Sequence, residues 1–121
     1  QYTSTEFPTD LATVGPSITA PLTGKYEIRF GGHFYSEMND GYGPKVGVKI
    51  GTTEPVDYER SMVFTDTSGP AAHSHFDGFK SFRADLNTGT LIKLRYGAST
   101  GGNGVAYFLD RYLEISPIYV Q

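Results

Sequence analysis

The chain has 121 residues and a formal net charge of −3, from 10 Lys and Arg against 13 Asp and Glu, and it contains no cysteine. That excludes a disulfide framework, a thiolate metal site and a cysteine nucleophile. No run of Lys or Arg offers an electrostatic footprint for nucleic acid, and no apolar run approaches the ~20 residues of a membrane-spanning helix.

The length fits one domain, residues 1–121. The composition includes Gly 15, Pro 7, Tyr 9 and Phe 8. This mixture of turn formers and β-favouring aromatics predicts an all-β fold. Because the chain opens on Gln1 and not Met, the expectation is a C-terminal piece of a longer protein.

In chain order, residues 17–22 predict a short first strand. Residues 24–36 read GKYEIRFGGHFYS. Tyr26, Ile28 and Phe30 alternate there with Lys25, Glu27 and Arg29, the period of a half-buried strand. Gly31-Gly32 predicts a bulge or kink within it. After the turn Asn39-Asp40-Gly41, residues 44–51 set Val46, Val48 and Ile50 against Lys45 and Lys49. Residues 52–72 show no strand pattern and include the turn Thr67-Ser68-Gly69-Pro70. A weaker strand is predicted over 76–86, followed by the turn Asn87-Thr88-Gly89. Over 90–96, Ile92, Leu94 and Tyr96 oppose Lys93 and Arg95.

The last strand, 105–118, follows Gly101-Gly102-Asn103-Gly104. By alternation, Leu109, Arg111, Leu113 and Ile115 share one face and Phe108, Tyr112 and Glu114 the other. Arg111 interrupts the apolar face, so a bend is predicted near Asp110-Arg111. No segment carries helical periodicity. Short strands at this spacing in a chain of this length predict a two-sheet antiparallel sandwich of jelly-roll type.

Chemistry-bearing patterns are sparse. His33, His73 and His75 are the histidines. An extended His73-Ser74-His75 puts two imidazoles on one face, and His33, on another strand, brings the number to the three that zinc sites use. The pattern offers no fourth ligand and no second-shell partner, so the expectation is solvated loop histidines and no metal. Carboxylates are scattered without a pair selected by spacing. Ser68 lacks the flanking glycines of a nucleophile elbow. The glycine-rich residues 97–104 are followed by neither a Lys nor a helix, as a phosphate loop requires. The expectation is a protein with no enzymatic activity and no cofactor.

The aromatics are more informative. A sandwich buries one face of each sheet, so tyrosines on the opposite faces need another partner. Copies of the same chain and the apolar face of a sugar both suit an amphipathic ring.

Four segments carry a family resemblance. Asp10-Leu11-Ala12-Thr13-Val14-Gly15-Pro16-Ser17-Ile18-Thr19 looks like the lead-in of many phage and prophage structural proteins, and Gly24-Lys25-Tyr26-Glu27-Ile28-Arg29-Phe30-Gly31-Gly32 follows at the expected place. Leu91-Ile92-Lys93-Leu94-Arg95-Tyr96-Gly97-Ala98-Ser99 resembles their penultimate strand, and Asp110-Arg111-Tyr112-Leu113-Glu114-Ile115-Ser116-Pro117-Ile118 their closing strand. These are C-terminal domains of tail, head-fibre or minor capsid proteins, similar to the trimeric jelly rolls of the tumour necrosis factor and complement head type. The resemblance covers roughly residues 9–120, with no counterpart for 52–72.

It implies a non-enzymatic homotrimeric domain on a virion surface, packed with other virion proteins and presenting loops to a host protein or glycan. On that reading Tyr96, Tyr107 and Tyr112 form the trimer interface, and Phe34, Tyr35, Asn39, Asp40 and Tyr42 the receptor loop. The alternative is a monomeric carbohydrate-binding module of a secreted enzyme, in which Asn39 and Tyr42 line a sugar platform.

Overall fold

Alternation of apolar and polar side chains turns each periodic segment into a strand with one face to bury. The computed structural model describes residues 16–36, 43–53, 55, 59–64, 74–98 and 106–120. The strands are β1 (Ser17–Thr19), β2 (Gly24–Ser36), β3 (Pro44–Ile50), β4 (Ser61–Val63), β5 (Ser74–Leu86), β6 (Leu91–Ala98) and β7 (Ala106–Val120). They form two antiparallel sheets, in the orders β1-β6-β3-β4 and β5-β2-β7. The fold is an all-β two-sheet sandwich, as the sequence predicts.

The apolar faces of the two sheets meet. Val46, Val48, Ile92, Leu94 and Tyr96 come from one sheet, and Tyr26, Ile28, Phe30, Phe34, Phe82 and Leu113 from the other. Phe30 and Phe82 meet edge-on, with centroids 6.2 Å apart. The Tyr26 hydroxyl donates to the Leu22 carbonyl at 2.6 Å, which satisfies the polar tip of a ring otherwise in the core.

Two expectations change. β4 arises inside residues 52–72, where the sequence shows no period, because its three residues pair along the edge of β3. Pro55 and the Arg60 carbonyl also lie against the sheet beside Gly47. A Cβ on Gly47 would lie 2.6 Å from the Pro55 ring, so only glycine admits that close approach. Lys45 and Arg95, predicted on a solvent face, are buried.

The second change concerns the irregularity predicted at Gly31-Gly32. β2 runs unbroken, and the extra residue lies in its partner. Gly31 pairs Tyr112 and His33 pairs Leu109, so Asp110 and Arg111 together oppose Gly32. Asp110 adopts φ 48°, a left-handed conformation in which Asp is among the better-tolerated residues. The bend predicted at Asp110-Arg111 is therefore present, and it resets the alternation beyond it. Phe108 joins Leu113 and Ile115 on the core side, packing 5.8 Å from Phe34 and 5.0 Å from Tyr96. Leu109 pairs outward with His33 instead, on the face that also carries Tyr112 and Glu114.

Candidate functional site

The outer face of the β5-β2-β7 sheet gathers several of the aromatic and ionisable side chains singled out from the sequence. Its rows follow from register. His75, Tyr35 and Tyr107 align across the three strands, then Asp77, His33 and Leu109, then Phe79, Gly31 and Tyr112. Below these come Ser81, Arg29 and Glu114, then Arg83, Glu27 and Ser116.

The face divides by polarity. In the lower rows Arg29 joins Glu27 at 3.0 Å and Glu114 at 3.1 Å and donates to the Ser116 hydroxyl at 2.8 Å. In the upper rows Tyr35 stacks on Tyr107, with centroids 4.2 Å apart at 12°, and on His75, 5.1 Å apart at 26°. Phe79 is 62% exposed and Leu109 45% exposed beside this stack. Gly31 sits between Phe79 and Tyr112, whose rings lie 6.5 Å apart. Burial raises the Tyr112 phenol above its ordinary value. Glu114 adds to the rise and Arg29 opposes it.

An ionisable chain crosses the same rows. His33 Nδ1 lies 2.7 Å from Asp77 Oδ1, and His33 Nε2 lies 3.1 Å from His75 Nδ1. His75 is on β5 and exposed, not in a loop as predicted. Among the described residues, no group of three or more His, Cys, Asp or Glu side chains is arranged to hold a metal.

The sequence-predicted site residues separate in this structure. Tyr35, Tyr107 and Tyr112 all reach the outer face, because the bulge brings Tyr112 into phase with Tyr107. Phe34 is 0% exposed within β2, so it is a core residue and not part of a receptor loop. Tyr96 is 1% exposed. It faces Val46 across the ladder, and the Arg111 guanidinium carbon lies 5.2 Å from its ring centroid. It belongs to the core, not to an interface between copies. Burial raises its phenol above the ordinary value, opposed by Arg111. Asn39, Asp40, Tyr42 and His73 lie outside the described residues.

Phe79, Leu109 and Asp77 were not predicted. The spacing of His75 and Asp77, two apart on one strand, already places them on one face. Joining them to His33 required the β2-β5 register. For a sugar platform the upper rows are poorly arranged, since Tyr35 spends its ring faces on Tyr107 and His75.

No family model matches the chain, and no curated protein matches it. Among solved structures it is similar to the globular domain of zebrafish complement 1qA protein, at 20% identity over 87% of this chain and 70% of that one, with a TM-score of 0.45.

Proposed function

We propose that this chain is a non-enzymatic head domain that assembles with two further copies of itself through the outer face of the β5-β2-β7 sheet. One observation carries the reading. The upper half of that face exposes Phe79 and Leu109 beside the half-buried Tyr35, Tyr107 and Tyr112, next to a lower half where Arg29 pairs with Glu27 and Glu114. Apolar side chains concentrated on one part of a surface mark an interaction site, and aromatics are enriched at such sites. A second copy is the occupant favoured here, because a surface built by this chain is present in every copy at matching concentration.

The threefold order, the virion-surface setting, contact with other virion proteins and the presentation of loops to a host receptor or glycan rest on the sequence resemblance to phage structural domains. The intended role is display on a rigid scaffold, with specificity carried by loops.

Light scattering after size-exclusion chromatography tests the assembly. A mass three times 13.2 kDa that persists on dilution is expected, and Phe79→Asp with Leu109→Asp is expected to lower it to a monomer that still melts cooperatively. A wild-type monomer at all concentrations overturns the assembly. Glycan binding by that monomer would move the reading to a carbohydrate-binding module.

A further inference from the structure

We infer that His33 and His75 form a two-imidazole chelate for a divalent transition metal of the zinc class, with Asp77 orienting His33. The register creates the arrangement. His33 pairs directly with Asp77, and His75 sits one row away on the same face of β5. The approaching nitrogens, His33 Nε2 and His75 Nδ1, are 3.1 Å apart. Zinc–imidazole bonds of about 2.0–2.1 Å at a tetrahedral angle hold two ligand nitrogens about 3.3 Å apart. Turning each ring by about 35° off the direct N···N line, as a tetrahedral centre requires, directs both lone pairs at one ion.

The second shell is already in place. Asp77 Oδ1 lies 2.7 Å from His33 Nδ1, so the carboxylate keeps a proton on that nitrogen and leaves the Nε2 lone pair facing His75. Carboxylate–imidazole–metal chains of this kind fix tautomer and raise ligand basicity. Tyr35 stacks on the His75 ring at 26°, which holds the plane of that ring. In a single copy the site opens to solvent on the His75 side, where water can fill the remaining coordination positions. Two imidazoles select zinc, copper or nickel over the oxygen-seeking calcium and magnesium.

The proton balance is simple. Without metal, His75 Nδ1–H donates to His33 Nε2. With metal, that proton moves through solvent to His75 Nε2, both facing nitrogens bind the ion, and no net proton is released from the neutral pair. Both ligands belong to one chain, so a single copy builds the chelate, and on the proposed assembly it lies on the joined face in the row of Leu109.

The test is calorimetric titration of the tag-free chain with Zn2+, with Ca2+ as the comparison. One Zn2+ per chain is expected, with no response to Ca2+. His33→Ala and His75→Ala should each weaken binding by more than about tenfold, and Asp77→Asn by about 10–100-fold, the range typical of second-shell losses. Nitrogen NMR of the wild-type imidazoles keeps the result independent of how the variants fold. Zn2+ should shift His33 Nε2 and His75 Nδ1 together. Absence of Zn2+ binding, binding that survives both alanine substitutions, or shifts confined to other nitrogens would overturn the site.

Discussion

Tyr35 and Tyr107 stack across β2 and β7 at 4.2 Å and 12°, on the surface opposite the one where Phe34, a single residue earlier, lies wholly buried. The alternation of a strand thus sends two adjacent aromatics to different tasks. One closes the sandwich, and the other joins a ladder of rings on the outer face.

That division sets the first prediction. Phe34→Ala empties a site packed against Phe64 at 5.4 Å and Phe108 at 5.8 Å, and the expected loss is about 3–5 kcal/mol. Tyr35→Ala removes stacking on a partly exposed face, with an expected loss of about 1 kcal/mol. Urea unfolding of both variants, at a concentration where the assembly state is known, measures the contrast. Equal losses would contradict the assignment of the two faces.

Gly31→Ala is predicted to destabilise although glycine is normally unfavourable in a strand. A Cβ there would collide with the Gly78 carbonyl on β5 and lie 2.8 Å from the Tyr112 hydroxyl. Backbone cannot step aside as a side-chain end can, so the expected cost is about 1–3 kcal/mol, read as a lowered denaturation midpoint. A gain in stability would show that β2 and β5 can separate at this point without loss.

Alkaline pH gives the third prediction. Burial holds the Tyr96 phenol above its ordinary value of 10.0, against the opposing Arg111. The folded value is raised, so stability from the neutral phenol is full below pH 10. It is lost as pH climbs through the folded value, because the unfolded chain ionises first. Tyr96→Phe should therefore flatten the decline of unfolding free energy above pH 10, with the largest difference at the alkaline end. An unchanged slope would mean that the Tyr96 hydroxyl ionises as freely in the fold as outside it.

Much of the fold is legible because period-two patterning is local. Val46, Val48 and Ile50, or Ile92, Leu94 and Tyr96, declare their faces from sequence alone, and the same alternation places Tyr96 inward, against its assignment to an interface. β4 escapes this logic, since Ser61, Met62 and Val63 are too few to show a period. The last strand misleads because its alternation is broken. One additional residue opposite Gly32 moves Phe108 into the core and Leu109 onto the outer face, and alternation within a single strand does not report its partner's register.

By itself the sequence determined the strand segments other than β4, the all-β class, the bend at Asp110-Arg111 and the exclusion of cysteine chemistry, because each depends on residues near one another along the chain. Only the tertiary structure decided that Tyr35, Tyr107 and Tyr112 share one surface, and that His33 meets His75 and Asp77. The His33 contacts join residues more than forty positions apart, and the physical cause is the pairing of β2 with both β5 and β7, which no local pattern encodes.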